Sequence, residues 1–277
     1  MRAGLNFGGA IHEALAYRYR TCPDMPTLEN ENQIDTLLTK WFQEKPNPPE
    51  DHRHSELASE VMKMYNSLHS VEDFSVLVHQ SRPAVEVPFA FPLFTYTRPD
   101  GTPLKVIWCG RIDLLVRMGG MVYVLDHKTA FMLGDGFFKQ EGVSDQHRGY
   151  MWAYYQACGV YPTGYIINAI RVPRPTKKGN SLSEDCFQRE TYQPDPAEIE
   201  EWEHNMKFII ARYLDLCYVH KFFPANKLAC VQKYGPCQFF DVCSLAPEHR
   251  LALLGSGMYQ DADWSPLNLG SPAPSPC

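Results

Sequence analysis

The chain is 277 residues long, 44% hydrophobic and 21% charged, the balance of a globular protein with a sizeable core, and this excludes a disordered, collagen-like or disulfide-miniprotein chain. Lys and Arg number 26 against 32 Asp and Glu, a net charge of −6; that sets aside a protein that coats nucleic acid with a basic surface and requires any phosphate-binding surface to be local. No run approaches the roughly 20 apolar residues of a membrane helix, and His12, Glu13 and Arg18 stand where a signal peptide would need an apolar core, so a cytoplasmic protein with no membrane partner is expected.

In chain order, residues 7–20 read as a helix with Ile11 and Leu15 at i, i+4. Thr27 to Gln43 and Ser55 to Leu68 read as two more, joined by a rigid linker containing Pro46, Pro48 and Pro49. From Ser75 the pattern turns to strands. Val85, Val87 and Phe89 alternate with Glu86 and Pro88, and Pro99-Asp100-Gly101 signals a turn. Val106 to Met118 and Met121 to Lys128 are β-rich runs joined at Gly119-Gly120. Ser144 to Cys158 reads as a helix, Pro162 to Val172 as a strand, Arg174 to Asn180 as a basic loop and Cys186 to Tyr192 as a strand. Asp195-Pro196-Ala197-Glu198 supplies an N-cap, a first-turn proline and an acid at the third position. In the helix that follows, Ile199, Trp202, Met206, Ile209, Tyr213 and Cys217 share a side expected to pack on the core. Cys230 to Cys243 reads as a loop, and after residue 250 the chain is expected to become a disordered tail over 251–277.

The chemistry concentrates in the central hairpin. Gly-Gly is a standard two-residue hairpin loop. With Gly119 and Gly120 as that loop, Met118 faces Met121 and, counting back, Asp113 faces Asp126. Opposed residues have Cβ atoms about 4.5–5.5 Å apart, and two carboxylates so close repel unless a proton or a cation intervenes. Lys128 projects from the same face as Asp126, and His127 from the other. Arg111 would face Lys128, an unfavourable pair unless a bulge or an anion separates them. An ordinary surface hairpin would explain an Asp-x-Lys, but the flanks are Ile112, Leu114, Leu115, Val122, Val124 and Leu125, where acids without a purpose are costly.

Gly-Arg-Ile-Asp113 followed by Asp126-His-Lys128-Thr resembles the core of the PD-(D/E)XK nucleases, in particular the RecB-like branch. Further matches are Gly8-Gly9-Ala10-Ile11-His12-Glu13-Ala14-Leu15 on the first helix, Glu86 on the strand before the hairpin, and the Gln146 to Tyr150 spacing on the helix after Lys128. The resemblance implies a restriction-endonuclease-like α/β fold over residues 1–250, a mixed sheet flanked by helices with helical N- and C-terminal additions. It implies a DNA nuclease, leaning to exonuclease, in which Asp113, Asp126, His12 and Glu86 hold Mg²⁺ or Mn²⁺ and Lys128 assists the attacking water. Gln146, Tyr150 and Arg148 would contact the DNA, with Arg171, Arg174, Lys177 and Lys178 as further basic candidates. The branch works in recombination, repair, end processing and CRISPR adaptation, and phages carry similar proteins. A DNA-binding protein of the same fold without catalysis, and a cysteine-metal structural protein, are the competing readings.

The chain has nine cysteines, and Cys230-x6-Cys237-x5-Cys243 falls within residues 226–245. In an intracellular protein such a grouping points to metal rather than disulfides. By resemblance it would be a 4Fe-4S cluster with Cys22 as the fourth ligand; zinc suits the thiolates equally.

Overall fold

A computed structural model describes residues 3–22, 27–79, 81–174, 182–222, 224, 226–232 and 235–260. Three helices come first, α1 (Ala3–Thr21), α2 (Leu28–Glu44) and α3 (Ser55–Leu68). Short strands β1 (Ser75–Val76), β2 (Val78–His79) and β3 (Arg82–Pro83) lead into the long β4 (Val85–Thr97), β5 (Pro103–Met118) and β6 (Met121–Ala130). Then follow α4 (Asp135–Gly142), α5 (Asp145–Cys158), β7 (Gly164–Arg171), β8 (Phe187–Tyr192) and α6 (Pro196–Asp215). The C-terminal part holds β9 (Val231–Gln232), β10 (Gly235–Pro236), α7 (Phe240–Ser244) and α8 (Pro247–Leu254).

The main sheet runs β1-β5-β6-β7-β8, with β4 pairing β5 beyond β1. Only β6 and β7 pair in parallel, their crossover carrying α4 and α5; the other pairs are antiparallel. One face of the sheet packs Leu114, Val116, Tyr123 and Leu125 against Phe7, Ile11, Leu15, Leu38 and Met62 of α1 to α3. The other packs Ile112, Leu115, Val124 and Ile167 against Met151, Trp152, Ile199 and Trp202 of α5 and α6. This is the expected mixed α/β architecture with helices on both faces.

The local signals hold where side-chain chemistry fixes the backbone. Gly119 and Gly120 both take positive φ, 56° and 83°, as a type I′ hairpin requires, and Met118 pairs with Met121. Asp195 and Glu198 form the capping box of α6. The back half of α6 is a correction: Ile209, Tyr213 and Cys217 are exposed, because the buried side of the helix continues from Met206 through Ile210 and its end meets β4 through the Tyr96–Asp215 hydrogen bond. The cysteine loop also differs, since it contains a two-stranded ladder and α7. Helix α8 crosses residue 251, where the tail was expected to begin; residues 261–277 and the Lys177-Lys178 loop lie outside the described residues. Among the described residues no helix is long and apolar enough to cross a membrane.

Candidate metal and nuclease site

The site forms where β5 leaves β6. Their ladder ends at the Leu114–Leu125 pair, so the expected opposition of Asp113 and Asp126 is not a rung of the sheet. The Asp113 side chain replaces the next rung: its Oδ2 accepts the His127 backbone N–H at 2.8 Å. Here β5 runs with β4, where Val85–Leu114 and Val87–Ile112 are paired, and Glu86 stands opposite Asp113. Both strands change face at this rung. Val85 and Leu114 belong to the α1-side core, Val87 and Ile112 to the α5-side core, although residues two apart on a strand ordinarily share a face. Glu86 accommodates the switch with φ +53°, a left-handed conformation costing a non-glycine residue roughly 1–2 kcal/mol. Such strain gathers at functional sites, and here it aims two buried carboxylates at one point.

Helix α1 brings the third group. His12 Nδ1 lies 3.4 Å from Asp113 Oδ2, and ligand atoms of His12, Glu86 and Asp113 all lie within 4.8 Å of one another. The glycines four and three residues before it explain how a helix comes so near. A Cβ on Gly8 would stand 2.9 Å from Thr129 Oγ1 of β6, and one on Gly9 3.0 Å from the Trp41 ring of α2. Carboxylate oxygens and one imidazole are the donors that Mg²⁺ or Mn²⁺ takes, so the residues fit the expected ion.

Asp126 is held separately. Its Oδ2 receives Lys128 Nζ at 2.6 Å and His147 Nε2 at 3.2 Å, and its Oδ1 receives Gln146 Nε2 at 3.3 Å. Lys128 also donates to Gln146 Oε1 at 2.9 Å, and Gln146 Nε2 reaches Tyr150 OH at 2.7 Å. The expected residues Asp126, Lys128, Gln146 and Tyr150 therefore form one chain of polar contacts. Arg148 is not part of that chain of contacts. Two residues from Gln146 it points to another side of α5, where it binds Glu198 at 3.0 Å and the carbonyls of Gly142 and Ser144. The feared Arg111–Lys128 repulsion does not arise either: Arg111 pairs with Pro88 across the β4–β5 ladder and its guanidinium is ion-paired with Glu86.

Electrostatics divide the acids. Burial and the neighbouring Asp126 push Asp113 up to about 7. Burial and Asp113 do the same to Glu86, also to about 7, despite Arg111. Burial works against ionised Asp126 too, but the His147 hydrogen bond and the Lys128 ammonium outweigh it and hold Asp126 at about 2. Burial lowers His12, keeping its imidazole neutral as a ligand requires.

Behind the site lies a buried ionic cluster that the linear sequence does not disclose. Arg18 Nη1 and Arg189 Nη1 reach the Glu72 carboxylate at 3.1 and 2.6 Å. Arg189 Nε donates to Asn168 Oδ1, which leaves Asn168 Nδ2 to donate to His127 Nδ1 at 2.7 Å. His127 faces away from Lys128, as expected, and stacks on Tyr19. His147 is the functional residue that sequence reading missed; only the packing of α5 over β6 reveals its partner, although it lies inside the Gln146–Tyr150 motif.

Among the described residues Cys22, Cys230, Cys237 and Cys243 do not form a zinc-type group. Three thiolates on a zinc ion would lie within about 4 Å of one another, given Zn–S bonds of roughly 2.3 Å. Among the described residues the one group of three such ligands within 4.8 Å is His12, Glu86 and Asp113. Cys237 and Cys243 are exposed and Cys230 half-buried, while Cys22 Sγ donates to Asn30 Oδ1 at 2.9 Å.

A mixed sheet carrying a strained acid pair, a histidine and an Asp-x-Lys strand on one rim defines a nuclease-type hydrolase of restriction-endonuclease-like fold. The chain belongs to the PD-(D/E)XK nuclease superfamily, whose model matches residues 1–244. Among solved structures, one described as "Crystal structure of SSO0001" is similar at 13% identity over 72% of this chain and 73% of its own, with a TM-score of 0.30. No match is found among curated proteins.

Proposed function

We propose that this nuclease is a divalent-metal-dependent deoxyribonuclease, acting from DNA ends as an exonuclease in recombination, repair or end processing. The observation that carries the reading is the convergence of His12, Glu86 and Asp113 within 4.8 Å, beside a lysine fixed by Asp126. Asp113, Glu86 and His12 would hold Mg²⁺ or Mn²⁺, with Asp126 completing the set. When bound, the ion supplies Lewis-acid polarisation of the phosphate and a more acidic water. Lys128 is positioned by Asp126 and Gln146 to orient the attacking water and to meet charge developing on the phosphate. Tyr150 and Gln146 form the rest of that surface and would orient the strand. The exonuclease lean rests on the RecB-like resemblance. A 4Fe-4S cluster at Cys230, Cys237 and Cys243 with Cys22 rests on the family resemblance and the cysteine spacing, and iron and sulfide analysis of anaerobically purified protein decides it. The central test is cleavage of end-labelled single- and double-stranded DNA with Mn²⁺ or EDTA. Release of mononucleotides from ends only with the metal supports the proposal; full activity in EDTA overturns it.

A further inference from the structure

The site is rich in acid, and most of the cations around it are already engaged. Lys128 is held by Asp126 and Gln146. Arg148 is held by Glu198, and Arg18 and Arg189 by Glu72. Arg111 differs. Its side chain is 47% exposed, while its ion-pair partner Glu86 is 8% exposed. That partner belongs to the His12–Glu86–Asp113 group, so a divalent cation entering there would take the carboxylate that Arg111 now holds. The neighbouring Gly110 has no side chain, and a Cβ there would lie 2.9 Å from the Phe89 ring and 3.6 Å from the Tyr150 ring. Arg111, next along the strand, points to the other face and there meets Glu86.

Resting on the metal-nuclease reading above, we propose that Arg111 is a phosphate-binding residue in exchange with the metal: it pairs with Glu86 in the empty site and turns to the DNA phosphate when the cation claims Glu86. The half-exposed guanidinium can leave the pair once the cation compensates the buried Glu86 carboxylate, and its planar fork matches two phosphate oxygens. The same exchange makes Arg111 a competitor of the metal before DNA arrives and a partner of it afterwards. A merely structural arginine would not produce opposite effects on the two ligands.

The full chain is tested as wild type, Arg111→Ala and Arg111→Lys. Mn²⁺ binding is measured by calorimetry without DNA, and binding of an end-labelled oligonucleotide is measured in Ca²⁺ across salt concentrations. Expected for Arg111→Ala are Mn²⁺ affinity at least threefold tighter, DNA affinity about tenfold weaker, and a log–log salt slope reduced by roughly 1, one phosphate contact. Arg111→Lys keeps the charge and loses the fork, so it should fall between. Unchanged or weaker Mn²⁺ binding, or unchanged DNA binding, in a folded Arg111→Ala protein overturns the exchange. Wild-type protein that binds no Mn²⁺ would instead sink the underlying metal-nuclease reading, so the two failures are told apart.

Discussion

Two buried acid clusters lie on either side of His127, and they are built on opposite terms. Glu72 is buried, which alone would raise it, yet Arg189, Tyr19 and Arg18 outweigh burial and lower it. Its charge is compensated from within the chain. Glu86 and Asp113 are also withdrawn from water, but Glu86 has one half-exposed arginine, Arg111, and Asp113 is ion-paired with no arginine or lysine among the described residues; both are raised to about 7. A fold that neutralises one buried carboxylate with two arginines and leaves two others short of cations suits the external cation proposed above. The first cluster holds α1, α3 and β8 together; the second is the site.

The sharpest break between them separates activity from stability. Asp113→Asn, Asp126→Asn and Lys128→Ala should each lower cleavage at least about 100-fold, roughly 2.7 kcal/mol of barrier, with near-native circular dichroism. Glu72→Gln should do the reverse. It strands two buried arginines, so it should cost about 3–5 kcal/mol and lower Tm by on the order of 10 °C. A stable Glu72→Gln protein, or a site variant within tenfold of wild type, would erase the distinction.

A second effect concerns pH in the metal-free protein. Asp113 and Glu86 have folded pKa values raised to about 7 over an unfolded carboxylate value of roughly 4. Between those values the folded state binds more protons, so stability falls as pH rises. From pH 5 to pH 8 in EDTA each acid should cost up to about 2–3 kcal/mol and the two together on the order of 5 kcal/mol, since each pKa unit is about 1.4 kcal/mol. Asp113→Asn should flatten that dependence, and at pH 8 its Tm should exceed that of wild type. An equal pH dependence in both proteins, followed by thermal melts, would show that the acids are not under-compensated. Added Mn²⁺ should raise the wild-type Tm more at pH 8 than at pH 6, because fewer protons must leave.

The smallest effects map the approach of α1. Gly8→Ala pushes a methyl against Thr129, so Mn²⁺ affinity should fall several-fold, and Thr129→Gly should restore part of it in the double variant. Arg148→Ala should leave DNA affinity within about twofold and lower stability by roughly 0.5–1 kcal/mol, since its guanidinium joins α5 to α6.

Much of this was legible in the sequence because local chemistry dictated it. The Gly119-Gly120 loop set the hairpin register, and the Asp195 box set the start of α6. The i, i+4 spacing of Gln146 and Tyr150 placed both on the face that meets Asp126. Period-two counting failed at Asp113, because a strand that changes face leaves no mark in composition. The Glu86–Arg111 and His147–Asp126 pairs join residues from different elements, which only the tertiary register brings together. The far end of α6 misled for the related reason that periodicity names a face without saying what lies opposite.

The face change at Glu86 and Asp113 also bears on which chain lengths this sheet tolerates. Because both strands switch at the same rung, removing residue 86 alone or residue 113 alone would slide one strand past its partner and turn its apolar side chains outward. Removing both would place the Val87–Ile112 pair directly after Val85–Leu114, with strict alternation restored and no residue left in the left-handed region. The double deletion should therefore fold better than either single one, as an inert sheet. In this chain the two acids behave as a paired insertion in this part of the ladder, and the proposed catalytic rim is where that insertion is accommodated.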